Sequence, residues 1–274
     1  MRRRTLAGHP TLHDRELAYM NLFSIEGKTA LVTGGSRGIG YMIAHGFVSA
    51  GAKVYITARK AQPCEEAAAE LSKIGTCIAI PADVSTEAGC RALAGEIASR
   101  EQRLHILVNN AGANWAAPLA EYPDAGWDKV MNTNVKGPFH LTRLLVPLLE
   151  NAASQEDPAR VINIGSVDGL HVPTLETYAY SASKAAVHHL TRVLARALSP
   201  KRITVNAVAP GPFQSKMMAE TLDRFGEQIA SSNPMGRIGT PEDMAGVAIY
   251  LSSRAGAYVN GTIIPVDGGI VGCQ

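Results

Sequence analysis

The segment Thr29-Ala30-Leu31-Val32-Thr33-Gly34-Gly35-Ser36-Arg37-Gly38-Ile39-Gly40 decides the fold. An apolar run with the pattern of a buried strand stops at a glycine turn, and an amphipathic stretch opens directly behind it. Gly34 lets the chain turn tightly. Gly38 removes the Cβ that would hold the backbone away from a pyrophosphate, and Gly40 lets the new helix pack close to the strand. The helix N-terminus then offers free N–H groups and a positive dipole end to an anion, with Ser36, Arg37 and Ile39 around it. The spacing is Gly-x-x-x-Gly-x-Gly, a variant of the commoner Gly-x-Gly-x-x-Gly. It predicts a nucleotide site at the first βαβ unit.

The same alternation runs on through the chain. Strands are expected at Thr29–Thr33, Val54–Thr57, Cys77–Ile80, Ile106–Asn109, Val161–Ile164, Ile203–Val208 and Thr262–Val266, and helices at 39–50, 62–74, 86–100, 126–150, 177–198 and 241–252. Strands apolar on both faces, alternating with helices, indicate a covered parallel sheet, and right-handed crossovers wind it on both sides. The expected fold is therefore α/β, a single doubly wound Rossmann domain with a mostly parallel seven-stranded sheet, spanning 21–274. The basic leader 1–20 lacks the apolar centre of a secretory signal and reads as a disordered extension. The stretch 212–238, with Pro212, Gly226, Pro234 and Gly236, breaks the rhythm and reads as a long loop of the kind that forms lids.

Composition narrows the classes. Glycine supplies 26 of 274 residues, above the roughly 7% average, but without a three-residue period, which excludes collagen. Hydrophobic residues make up 46% and charged residues 18%, enough apolar material to offset chain entropy. A net charge of +2 without a basic stripe argues against a nucleic-acid partner. No apolar run approaches the roughly 18 residues of a membrane span. Cys64, Cys77, Cys90 and Cys273 show no CxxC spacing and no clustered His, so no metal is expected, and a reducing cytoplasm suits them.

The second expected strand ends in Thr57-Ala58-Arg59. An NAD site places Asp or Glu there, about 20 residues beyond the glycine turn, to hold the ribose 2′-hydroxyl. Ala58 cannot do so. Arg59 and Arg37 instead offer two guanidinium groups that can grip a 2′-phosphate, so NADP(H) is expected.

Tyr180 and Lys184 stand four apart on one helix face. A free tyrosine has a pKa near 10, and a neighbouring ammonium favours its phenolate, so Tyr180 is a candidate acid/base. Tyr178 is a competitor, but Ala182 stands four residues after it. Val161–Ile164 leads through Gly165 to Ser166, at a strand end where ligands bind in open α/β sheets. Asn109-Asn110-Ala111-Gly112 ends another strand, and Asn134 lies within an expected helix, where it could hold a water.

Together these motifs, in this order and with Asp83 and Pro210-Gly211, resemble the short-chain dehydrogenase/reductase family over about 24–270. The resemblance implies Tyr180 as acid/base and Ser166 as the group polarising a carbonyl. Lys184 would bind the nicotinamide ribose and depress the tyrosine pKa, and Asn134 would anchor a relay water. Asp83 and Val84 would border the adenine, Asn110, Ala111 and Gly112 would support the cofactor cleft, and Pro210 and Gly211 would lie along the nicotinamide. Ser215 stands where the family usually has Thr on the carboxamide. Gly165 stands where many members have Ser, and the 14-residue step from Ser166 to Tyr180 is one longer than in many. That loop, Val167–Thr177, is expected to line the substrate site, with Trp115, His171, Phe213 and Met217-Met218 as candidate walls. His188-His189 reads as interface or surface packing. The resemblance further implies a homodimer or homotetramer through helices 126–150 and 177–198. Within the family the chain is most similar to bacterial 3-oxoacyl-(acyl-carrier-protein) reductases, including the rhamnolipid type. The expected substrate is a small carbonyl or alcohol compound, foremost a 3-oxoacyl thioester, with sugars, polyols or other small carbonyls as the alternative; a non-catalytic nucleotide sensor on the same fold is disfavoured because Asn134, Ser166, Tyr180 and Lys184 are all present. The acidic stretch Gln155-Glu156-Asp157 argues against carrier docking.

Overall fold

Neighbouring residues of the first strand feed opposite faces of one sheet. In β1 (Thr29–Thr33), Ala30 and Val32 enter one apolar layer and Leu31 the other. The same alternation continues in β2 (Lys53–Thr57), β3 (Cys77–Ala79), β4 (Ile106–Asn109), β5 (Ala159–Ile164) and β6 (Ile203–Pro210). With both faces covered, most of these positions are apolar, which is why the strands read as nearly continuous runs. With β7 (Ile263–Val266) they form a seven-stranded parallel sheet in the order β3-β2-β1-β4-β5-β6-β7. The computed structural model describes residues 19, 21–214 and 219–273.

One layer is closed by α1 (Gly38–Ser49), α2 (Ala61–Leu71) and α8 (Pro241–Ser252), through Ile43, Phe47, Leu71, Met244 and Leu251. The other is closed by α3 (Glu87–Arg100), α5 (Gly137–Ala152) and α6 (Tyr178–Leu198), through Leu93, Ile97, Leu141, Leu145, Leu149 and Leu198. The strand order reverses between β1 and β4. Their carboxyl ends therefore open a crevice, the usual ligand position in such sheets.

Two expectations change. The helix expected over 126–150 is α4 (Asp124–Met131), a π turn at Asn132–Lys136, and then α5. Pro138 has no N–H to give the carbonyl four residues back, that of Asn134, and the Gly137 N–H reaches Asn132 instead. The stretch 212–238 is not all loop, because α7 (Ala219–Ser232) occupies its middle. Pro212, Pro234 and Gly236 lie outside that helix, and a single internal Gly226 costs only about 1 kcal/mol. Among the described residues no helix is long and apolar enough to cross a membrane.

The amino-terminal edge of the sheet carries an ion network. Arg160 at the start of β5 is 1% exposed. It donates to the carbonyls of Leu251 and Ser253 and to Asp157, and Lys28 donates to Asp157 and to the Ser252 carbonyl. Two cations thus cap the last carbonyls of α8. Asp157 is a structural group at the end of the sheet away from the crevice, so the acidic stretch does not bear on docking at the crevice. Replacing Arg160 with Ala would leave buried carbonyls and Lys28–Asp157 without their partner. A loss of about 3 kcal/mol in urea denaturation is expected.

Candidate active site

The glycine turn is held from below by β4. The Thr33 hydroxyl accepts the N–H groups of both Asn110 and Ala111 at 2.9 Å. The Asn110 side chain donates back to the carbonyls of Thr33 and Gly34, at 2.8 and 3.2 Å. Gly34 and Gly38 have φ of +65° and +54°, the left-handed region that favours glycine. A Cβ on Gly40 would overlap the Gly34 carbonyl oxygen and the Asn110 amide. Helix α1 starts behind Arg37 with no side chain capping it, so its first N–H groups face the crevice.

At the rim of this cradle, Arg37 and Arg59 are exposed and Ala58 follows β2. These residues suit a 2′-phosphorylated dinucleotide: an uncapped helix end for the pyrophosphate and cations, not a carboxylate, beside the ribose. Asp83 accepts from the Ser85 N–H and hydroxyl. Burial opposes its charge, but those bonds and the Arg59 guanidinium leave its carboxyl below the usual value. Val84 is buried behind it.

Across the crevice, α6 presents Tyr180 and Lys184. The Lys184 Nζ donates to the Ile164 carbonyl at 2.8 Å and lies 5.3 Å from the Tyr180 ring centroid. Ser166, at the exit of β5, is hydrogen-bonded to the Tyr180 hydroxyl, and its Oγ accepts the Asp168 N–H at 3.2 Å. Gly112 closes the group. A Cβ there would stand 3.6 Å from the Asn134 Oδ1 and 4.0 Å from the Lys184 Nζ. Asn134 is 3% exposed. Its Oδ1 accepts the Ala113 N–H, and its Nδ2 donates to the Ala113 carbonyl and the Ser183 hydroxyl. Both amide hydrogens are spent on tying the β4 exit to α6.

The electrostatics differ from the sequence expectation. Burial pushes the Tyr180 pKa up to about 12; the Ser166 bond lowers it and the Asp168 carboxylate raises it. Burial also lowers Lys184 to about 8, against the pull of Asp168. The ammonium lies over the ring face instead of at the hydroxyl, and burial outweighs any help it gives the phenolate.

Of the candidate substrate walls, Trp115 packs on Gly126 and belongs to the small apolar cluster that includes Tyr180. His171 sits on the Val167–Thr177 loop with its Nε2 3.7 Å from the Asp168 carboxylate. Phe213 is not a wall. It is 2% exposed, pressed against Gly239 and part of the main core. Gly211 also serves packing, since a Cβ there would meet the Asp267 backbone at 2.8 Å, while Pro210 ends β6 beside it. His188 is buried inside the fold, not at a surface. Tyr178 turns away to Glu176. Ser215 and Met217-Met218 lie outside the described residues.

The sequence reading passed over Thr33, Asp168, Ser183 and an apolar recess of about 270 Å³ lined by Leu119, Tyr122, Pro123, Asp124, Trp127 and Tyr178. Thr33 belongs to the opening motif and Asp168 to the flagged loop. The recess joins the stretch 119–127 to Tyr178, far along the chain, and had no local signal.

A strand–glycine turn–helix, an Asn at the β4 exit, and Ser166, Tyr180 and Lys184 on one crevice define a class. The chain belongs to the short-chain dehydrogenase/reductase family. A family profile described as enoyl-(acyl carrier protein) reductase matches residues 34–271. The chain is 52% identical over 249 residues to the rhamnolipids biosynthesis 3-oxoacyl-(acyl-carrier-protein) reductase of Pseudomonas aeruginosa, covering 90% of this chain and 97% of that one. It is 38% identical over 248 residues to the 3-oxoacyl-(acyl-carrier-protein) reductase FabG of the same organism, covering 90% and 98%. A solved RhlG/NADP active-site complex from Pseudomonas aeruginosa superposes with a TM-score of 0.89 at 52% identity, covering 91% of this chain and 98% of that one.

The Lys184 shift has a stability consequence. Its folded pKa, about 8, lies below the ordinary lysine value of 10.5. Below pH 8 the buried charge costs stability; from pH 8 upward the native state sheds a proton that the unfolded chain keeps, so stability rises. Tyr180, raised from 10.0 to about 12, opposes this only above pH 10. Between pH 8 and 10 the wild-type protein should therefore gain stability relative to Lys184→Met, as read from paired denaturation curves. A flat difference would show that Lys184 is not depressed.

Proposed function

We propose that the protein is an NADP(H)-dependent reductase interconverting a ketone and a secondary alcohol, acting on a 3-oxoacyl thioester carried by acyl carrier protein or CoA. The observation that carries this is the meeting of the uncapped glycine turn with Ser166, Tyr180 and Lys184 at the carboxyl ends of β1, β4 and β5. Residues 21–274 are the catalytic domain on this reading. The relatives named for 3-oxoacyl-(acyl-carrier-protein) reduction support the substrate class, and the apolar recess beside Tyr178 gives an acyl chain somewhere to lie.

The cradle of Gly34, Ser36, Gly38 and Gly40 holds the pyrophosphate, and Arg37 and Arg59 hold the 2′-phosphate. When bound, the dinucleotide supplies or accepts a hydride at the carbonyl carbon. Ser166 donates a hydrogen bond to the carbonyl oxygen, and Tyr180 delivers its phenolic proton to that oxygen. Lys184, fixed on the Ile164 carbonyl, binds the nicotinamide ribose. Asn134 fixes the distance between the β4 exit and α6. Its main-chain carbonyl, which Pro138 cannot serve, is the group that anchors a relay water. The chain pairs with copies of itself as a homodimer or homotetramer through α4, α5 and α6, which expose Trp127, Phe139 and Val193. It works in the cytoplasm, in keeping with four free cysteines.

Tyr180→Phe should abolish NADPH oxidation with a 3-oxoacyl-CoA substrate while NADPH still binds, as followed by its fluorescence; retained turnover would sink the assignment. Replacing both Arg37 and Arg59 with Ala should weaken NADPH by several kcal/mol, on the order of two charge-assisted contacts, and leave NADH nearly unchanged. An unaltered preference would make them ordinary surface residues.

A further inference from the structure

His188 extends the functional stripe of α6, standing four residues beyond Lys184 as Lys184 stands beyond Tyr180. It is 3% exposed, and its ring nitrogens face the Gly169 backbone without forming a hydrogen bond of good geometry. Its ring fills the space under the turn that carries Ser166. A Cβ on Gly165 would overlap the His188 Nε2, and one on Gly169 would stand 2.9 Å from the Cε1. That Cβ on Gly169 would also meet backbone, 2.7 Å from the Lys184 carbonyl carbon and 2.8 Å from the Ala185 nitrogen. Gly165 is not among the glycines with positive φ, so its backbone would accept any residue. Only the imidazole demands glycine there. On its other side the strand end is held by the Lys184 bond to Ile164 and by the Gly165 N–H bond to the Val208 carbonyl, at 2.7 Å.

We propose that His188 is a positioning residue, a wedge that, with Gly165 and Gly169 as its counterparts, sets the distance of Ser166 from Tyr180 and Lys184. The proposal rests on the reading of Ser166 and Tyr180 given above. The ring stays uncharged at neutral pH: burial first, then the Lys184 ammonium, lowers its pKa to about 4, although the Gly169 backbone favours the charged form and Arg192 adds to the depression. A second positive charge beside Lys184 is thereby avoided. This pairing also accounts for glycine at the position before Ser166.

The test is a cycle of Gly165→Ala, His188→Ala and the double variant, assayed with NADPH and acetoacetyl-CoA. Gly165→Ala should lower kcat about ten-fold or more, since displacement of a reacting group by an ångström has that scale of effect. Its NADPH affinity, read by fluorescence, should stay near wild type. Adding His188→Ala should restore most of the lost kcat, because the added methyl then has room. Failure of Gly165→Ala to fold, with the double variant folding, carries the same meaning. Wild-type kcat in Gly165→Ala, or a double variant no better than the single, overturns the proposal. If the wild-type chain does not turn over this substrate, it is the functional reading that fails. The wedge is then judged by thermal midpoints of the same cycle: recovery in the double variant supports it and lack of recovery overturns it.

Discussion

The joint between the ends of β1 and β4 is the constraint from which the crevice follows. Two strands that neighbour each other across the reversal of strand order must diverge into different connections, yet their last residues have to remain locked. Thr33 and Asn110 do this by exchange: a hydroxyl takes two backbone N–H groups, and a side-chain amide covers two carbonyls. Four backbone polar groups at the joint are thus satisfied without a covering segment. The glycine turn can then lie against β4 with no Cβ between them, and α1 can start with its N–H groups aimed outward. A side chain capping α1 would satisfy the helix and remove the anion site at once.

The two ends of the sheet show opposite bargains with burial. At the amino end, Arg160 and Lys28 are buried with carboxylate and carbonyl partners, and helix α8 ends on them. At the carboxyl end, Tyr180, Lys184 and His188 lie in one row on α6 with fewer partners than their polarity calls for. Burial shifts each of them toward its neutral form. Polar groups left under-satisfied in a protein interior cost stability, and here they gather where chemistry is proposed and not where the fold is fastened.

How much was readable from sequence follows from how local each determinant is. The strands, their parallel arrangement and the glycine turn depend on periodicity and on one contiguous motif, and they stand where the sequence put them, to within a few residues. Asn134 could be located but not its side-chain bonds, because the interruption at Pro138 and the partners Ala113 and Ser183 come from three places in the chain. Phe213 was misjudged because an aromatic after Pro-Gly has no local sign of the Gly239 it packs on. His188 looked like surface because its partner is an absence, the missing side chain of Gly165, on a strand more than twenty residues away. Glycines near a site invite a ligand explanation. Gly34 and Gly40 are small for the sake of Asn110 and the turn itself, and Gly165 and Gly211 for the sake of His188 and Asp267.

The protonation balance of the row bears on the direction of the proposed reaction. With Tyr180 near 12 and Lys184 near 8, the crevice at neutral pH holds a protonated phenol and an ammonium. An alkoxide forming at the carbonyl oxygen is a stronger base than a phenolate even at that elevated value, so proton delivery from Tyr180 runs downhill during reduction. Oxidation needs the reverse, a phenolate ready to take a proton from an alcohol, and burial together with the Asp168 carboxylate holds that form down. Ser166 is the group that works against this bias, through its hydrogen bond to the tyrosine hydroxyl. Its placement by the turn that His188 supports therefore bears on both the carbonyl and the acid, and an error in that placement would weaken two functions of the site at once.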